Sequence, residues 1–305
     1  MNEPRSYSQR VEDLWTEVAL ARQVDSRRGW LDSPIVMWDY VQPLLTGQRR
    51  RNWMVDAAAQ LGLARDGRWV SLGCGIGGTE IFGARNHLFG HLWGFDLSPG
   101  AVAAATRAAV DAEVAERLEF GVMDIEHPQL PAESFDVALF AMALHHVADL
   151  ETCLAAVEQS LKPGGALLVN EYVGPARQQF GETQLEVVRE LLALLPPRLR
   201  TLRDGHLKTE YSRRSIAEWI IADPSEAVRS PEIPSVVADQ FDLVYRKDYG
   251  GTVLGPLLED IIHNFEPDRE EDVALVRSLG YIEQRLIRHG ILTSDFAVMV
   301  AKKRA

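Results

Sequence analysis

The run WVSLGCGIGGTE, residues 69–80, passes from a short apolar strand into Gly73, Gly75, Gly77 and Gly78 and then into a helix. Glycines at such a junction let the backbone turn tightly and approach a ligand, with the helix N-terminus facing it. The letters satisfy G-x-G-x-x-G through Gly73, Gly75 and Gly78, and equally G-x-G-x-G through Gly73, Gly75 and Gly77. The loop alone therefore leaves more than one nucleotide-like ligand open. Asp96, about 20 residues on at the end of the next apolar run, is the acid expected to accept both O–H bonds of a ribose.

Outward from this loop, short apolar runs alternate with helical stretches. RWVSL, HLWGFD, RLEFGV, FDVALFAM and GGALLVNEY have the length of strands. Several are apolar on both faces, as parallel strands covered by helices should be. Residues 77–88, 99–115 and 149–161 are long enough for crossover helices, and Ser98–Pro99 is a cap followed by a first-turn proline. That alternation predicts a doubly wound α/β core over residues 61–172.

Upstream, residues 1–60 read as a helical segment, with Val11, Leu14, Trp15 and Val18 at helical spacing. Trp30, Trp38 and Trp53 in this segment are expected to cover a sheet face, the alternative being a pocket wall. Downstream, residues 173–238 read as a helical insertion, broken at Pro196–Pro197 and Asp223–Pro224, with Ser215 and Glu218 forming a capping box. Residues 239–305 hold two more strand candidates, FDLVYR and DFAVMVAKK, with helical sequence between them.

Composition narrows the class. The 305 residues are 46% hydrophobic and 25% charged, which excludes a largely disordered chain. With 32 basic and 44 acidic residues the net charge is −12. Such a chain repels a phosphate backbone, so no nucleic-acid partner is expected. Two cysteines, Cys74 and Cys153, make no disulfide framework and fit a reducing cytosol. No metal-ligand spacing stands out. The charged N-terminus is no signal peptide and no run is apolar enough for a membrane span, so a cytoplasmic protein is expected.

The blocks after the glycine loop decide between its ligands. Asp124 in GVMDIEHPQLP, then SFDVALFAMALHHV and LKPGGALLVNEY, follow in the order seen in class I S-adenosylmethionine-dependent methyltransferases, and residues 68 to about 172 resemble that family. The resemblance implies a seven-stranded sheet whose last strand is antiparallel and lies between the fifth and sixth. It also implies S-adenosylmethionine as cofactor, leaving as S-adenosylhomocysteine. Gly73, Gly75 and Gly77 would pass under its amino-acid end, Asp96 and Leu97 would hold the ribose, and Asp124 and Ile125 the adenine. Phe140 and Ala141 would stand beside the methyl. Many members carry an acid two places before the first glycine, where this chain has Ser71; Glu80 reads as a helix-dipole partner. The runs EYVGPARQQF, DPSEAVRSPEI, YGGTVLGPLLEDIIHNF and SDFAVMVA resemble a bacterial subgroup associated with glycan and specialised-metabolite clusters. Residues 173–235 and 252–290 would then form a lid.

Methyl transfer to a small-molecule or glycan hydroxyl needs alignment and a place for a proton. His145 and His146, beyond the fourth strand, are the leading candidates for a base, with Glu171 and His263 as further catalytic candidates. Tyr172, Arg177, Tyr249 and Asn264 are expected to contact the acceptor. Residues 198–214 carry a local +4 charge and could clamp an anionic acceptor, though a solvated helix end is the plainer reading. Residues 266–272, EPDREED, read as a solvated turn. A nicotinamide-dependent oxidoreductase and a non-catalytic S-adenosylmethionine-binding module are the competing readings.

Overall fold

A computed structural model describes residue 11, residues 14–16 and residues 29–304; Val18 lies outside them. Seven strands form one sheet in the order β3-β2-β1-β4-β5-β7-β6. They are β1 Arg68–Leu72, β2 His91–Asp96, β3 Leu118–Val122, β4 Phe135–Ala141, β5 Leu161–Tyr172, β6 Asp242–Gly250 and β7 Phe296–Lys302. Strands β1 to β5 are parallel, and β7 runs antiparallel to both β5 and β6. This is the sheet expected from the resemblance, with the last strand inserted between the fifth and sixth.

The crossovers form for local reasons. Ser98 Oγ accepts from Ala101 N (3.0 Å) and Pro99 opens the helix Pro99–Asp111. Asp149 caps Leu150–Ser160 through Thr152 N, and Ser215 with Glu218 closes the capping box of Ile216–Ala222. Alternate strand residues feed two cores. Trp69, Val137, Leu139 and Leu168 pack on one face with the helices Trp53–Leu61, Gly78–Arg85, Glu182–Leu194 and Glu270–Arg288. Val70, Leu72, Phe140 and Val169 pack on the other, beneath Leu150–Ser160 and Ile233–Gln240. No described helix is long and apolar enough to cross a membrane.

The chain proceeds outward from β1 through β2 to β3, then returns to β4 on the other side of β1. The topological switch therefore lies between β1 and β4, and the crevice outside their carboxyl ends is where an open α/β sheet receives a ligand. The loops 73–77, 97–98 and 142–146 gather there.

Several expectations are revised. The helical sequence between the last two strands divides into a short helix Leu254–Leu258, a turn Ile262–Asn264 and the long helix Glu270–Arg288. Two cations of the basic run are engaged internally. Arg198 pairs with Asp272, and Lys208 Nζ donates to the carbonyls of Pro256 (2.9 Å), Leu257 (3.3 Å) and Glu259 (2.6 Å). Residues 266–271 are exposed, as a solvated turn should be, and only Asp272, fully buried and accepting from Glu266 N, departs from that reading through its internal ion pair.

Candidate active site

A cavity of about 1050 Å³ opens at the switch point. Gly73, Gly75, Asp96, Leu97, Asp124, Ile125 and Ala141 line it, as do His145 and His146. The glycine loop and the histidine loop meet because Gly73 permits it. Its φ is +72°, and a Cβ there would stand 2.3 Å from the Ala143 Cβ. Gly77, at φ +80°, faces away: a Cβ would meet Ala105 (3.0 Å) and Phe120 (3.1 Å), so it sets the packing of the loop and does not line the cavity. Phe140 is also outside the lining, fully buried among the side chains of the opposite core.

Asp96 is held in place by the loop it serves. Its Oδ2 accepts from Gly75 N (2.8 Å) and its Oδ1 from Ser98 N (2.9 Å). Each oxygen keeps a lone pair for a ligand hydroxyl. Burial raises its pKa, against the two backbone hydrogen bonds. Beneath the loop, Ser71 Oγ donates to Glu80 Oε1 (2.6 Å). A carboxylate from the helix thus stands behind Ser71. Burial pushes Glu80 up to about 7, although the Ser71 bond opposes the shift.

The histidines have unlike surroundings. His145 Nδ1 meets Glu171 Oε2 at 2.6 Å, while Glu171 Oε1 accepts from Ala143 N and Leu144 N, both at 2.5 Å. Glu171 is fully buried and outside the cavity lining, so it orients His145 and does not face a ligand. Burial alone would lower the His145 pKa. The charge and hydrogen bond of Glu171, helped by Glu226 and Asp223, push it up to about 9. His146 shifts the other way, through burial and the neighbouring His145 charge.

The tautomer of His146 follows from its partners. Asp223 Oδ1 accepts from both Ser225 N (2.8 Å) and Ser225 Oγ (2.6 Å). With its single proton given to Asp223, Ser225 Oγ accepts from His146 Nδ1–H at 3.1 Å. His146 Nε2 is left bare, 4.0 Å from Glu226 Oε2. Ser225 and Glu226 both line the cavity, and the sequence reading gave neither a role. Their turn is held from a distance. Arg177 Nη1 donates to the Glu226 carbonyl (3.1 Å) and Gln178 Nε2 to Glu226 Oε1 (2.7 Å). Arg177 (φ +54°), Gln178 (+51°) and Ala227 (+46°) all adopt left-handed backbone at this junction, and Met142 (+59°) does so after β4.

The remaining expected contacts lie elsewhere. Arg177 positions the 223–226 turn and does not line the cavity. Tyr172 donates its hydroxyl to the Pro175 carbonyl (2.9 Å), away from the lining. Tyr249 stands behind Asn170, donating to its Oδ1 (2.8 Å), and Asn170 is the residue that reaches the cavity. Asn264 donates to the Thr201 carbonyl (2.7 Å), and neither it nor His263 lines the cavity. The expected lid contributes little: only Ser225 and Glu226 come from residues 173–238, and no described residue of 252–290 reaches the lining. The cover comes from the N-terminal segment. Val11, Trp15, Met37 and Trp53 line the cavity, and Thr16 Oγ1 bonds Ser98 Oγ at 2.8 Å. Trp15 meets His146 edge-on, with ring centroids 4.9 Å apart. Trp30 instead packs on Phe296.

Residues 70–169 match the family model described as a methyltransferase domain. Over these residues the core of this chain is similar to methyltransferase domains. The match removes the dinucleotide reading of the glycine letters. A ubiquinone/menaquinone biosynthesis C-methyltransferase from Syntrophotalea carbinolica is 30% identical over 138 residues, covering 45% of this chain and 57% of that protein. The chain spans only part of the curated relatives it matches, 34% and 20% in two further cases. Among solved structures, a geranyl diphosphate C-methyltransferase from Streptomyces coelicolor A3(2) superposes with a TM-score of 0.56 over 100% of both chains, at 13% identity. The [4+2]-cyclase SpnF superposes at 0.55 over 100% of this chain and 98% of its own, at 16% identity. At such identities the likeness concerns the fold of the methyltransferase domain and its flanking elements, and a fold hosts more than one chemistry.

Proposed function

We propose that this chain is an S-adenosylmethionine-dependent methyltransferase acting on a hydroxyl oxygen of a small-molecule or glycan acceptor. The observation that carries the reading is one shared cavity, with Asp96 and the glycine loop in its wall together with the bare Nε2 of His146. The residues present fit the cofactor. Gly73 and Gly75 offer a close backbone wall, Asp96 two lone pairs for a ribose, and Asp124 with Ile125 a polar and an apolar side for adenine. The acidic lining, which includes Asp32, Asp124, Glu126 and Glu226, suits a positively charged ligand.

When bound, the cofactor would supply an electrophilic methyl group on a sulfonium, with a neutral thioether as the leaving group. The chain's own residues do the rest. The N-terminal aromatic side chains exclude water. His146 Nε2 takes the hydroxyl proton, and the Ser225–Asp223 pair holds the ring in the tautomer that leaves Nε2 free. His145, kept cationic by Glu171, donates a hydrogen bond into the cavity beside the acceptor. The test is an acceptor screen with methyl-labelled cofactor, read by mass spectrometry. A labelled methyl ether supports the reading, and labelling at nitrogen or carbon alone contradicts the oxygen assignment.

A further inference from the structure

We propose, on the methyl-transfer reading above, that the acceptor presents two adjacent hydroxyl groups, a vicinal diol, to His145, His146 and Glu226. One ring nitrogen of each histidine and one Glu226 carboxylate oxygen lie within 4.8 Å of one another. All three residues line the cavity, so they converge on one small volume of ligand.

The demand of that volume can be counted in protons. His146 Nε2 is an acceptor, because its Nδ1–H is committed to Ser225. Glu226 is a second acceptor, whose Oε1 is held by Gln178. Burial would raise its pKa, but His145, His146, Gln178 and Arg177 lower it, so it stays ionised. His145 is a donor because it is doubly protonated: the Glu171 carboxylate at Nδ1 outweighs burial and pushes its pKa up to about 9, so Nε2 keeps its proton for the ligand.

A ligand matching two acceptors and one donor must bring two protons and at least one lone pair. A single hydroxyl has only one proton, and His146 Nε2 and Glu226 Oε2, 4.0 Å apart, would compete for it. An ammonium has the protons but no lone pair, and it would face the His145 cation. A phosphate or carboxylate brings no proton and meets Glu226 with like charge. Two neighbouring hydroxyls satisfy all three: one donates to His146 and is methylated, and the other donates to Glu226 while accepting from His145. The described lining holds no Lys or Arg that would favour an anion.

The diol could belong to an aromatic ring or to a sugar ring, and the test separates them. Protein loaded with S-adenosylhomocysteine is titrated, by saturation-transfer NMR, with catechol against phenol and guaiacol. cis-Tetrahydropyran-3,4-diol is compared with tetrahydropyran-4-ol, and catechol monophosphate serves as the anionic control. The expected result is that diols of at least one series bind at least about tenfold tighter than their partners lacking one hydroxyl. Glu226→Gln should erase that difference, because its amide offers a donor, while S-adenosylhomocysteine affinity stays within about threefold. A preference in one series alone names the ring type. Equal binding with and without the second hydroxyl in both series, or tighter binding of the phosphate, overturns the inference. S-adenosylhomocysteine binding is measured first: its absence overturns the methyltransferase reading, whereas its presence with no diol preference overturns this inference alone.

Discussion

At the scale of single residues, the site divides two adjacent imidazoles into opposite roles. His145 is buried against the fully buried Glu171 and titrates near about 9, while His146 is lowered by burial and by its charged neighbour. The proposed mechanism needs His146 neutral and His145 protonated. Turnover should therefore rise with pH below the ordinary histidine range, stay level through neutrality, and fall as pH passes about 9. Glu171→Gln removes the largest charge holding His145 up, so the alkaline limb should move well below 9 while the acid limb remains. A steady-state pH–rate profile of both proteins checks this, and an unmoved alkaline limb would detach His145 from the mechanism. His146→Ala should lower turnover by roughly 10²–10⁴-fold with cofactor affinity within about threefold, by kinetics and calorimetry. What could be read beforehand was local. Gly73, Gly75, Asp96 and the histidine pair follow strands in the sequence, and a strand end fixes where the next residues go. Ser225 and Glu226 were not legible, because their turn is brought to the site by Arg177 and Gln178, 48 or 49 residues earlier. Asp223–Pro224 showed only that a helix would break there.

Among the elements, the decisive contact joins the loop after β1 to the loop after β4. A Gly73→Ala side chain would enter the space of Ala143 and would demand a left-handed φ, which costs an L-residue roughly 1–2 kcal/mol before any clash. Gly73→Ala should weaken S-adenosylhomocysteine binding by at least about tenfold and lower the melting temperature, as measured by calorimetry and thermal scanning. Retained affinity would show that the two loops do not form one wall. The same reasoning explains why the sheet was legible and its cover was not. Apolar runs such as FDVALFAM fix strand and face together. No periodicity says which amphipathic helix lies over the carboxyl ends. Here Trp15 and Trp53 do so, while the segment holding Asn264 is tied instead to the carbonyl of Thr201.

Across the whole molecule, an excess of buried acid sets a pH dependence of stability. Burial pushes Glu80 and Asp295 up to about 7 from an ordinary value near 4.5 or below. The folded state thus binds more protons than the unfolded chain through that window, and stability falls as pH rises across it. His145, raised from 6.5 to about 9, adds stability that is complete below 6.5 and lost as pH climbs to about 9. The ligand-free protein should melt at progressively lower temperature from about pH 5 to pH 9. Glu80→Gln should flatten the lower part of that slope and His145→Asn the upper. A melting temperature that rises over this range would contradict the burial of these groups.

The central claim, that the cavity at the β1–β4 switch point holds the adenosyl cofactor, is tested most directly by titrating S-adenosylhomocysteine into the intact chain and into Asp96→Ala in a calorimeter. Two hydrogen bonds to a carboxylate contribute about 1.5–3 kcal/mol each. The unaltered protein should bind one molecule per chain and Asp96→Ala should bind at least about tenfold more weakly. No binding to the unaltered protein, or equal affinity of the two, would contradict the account.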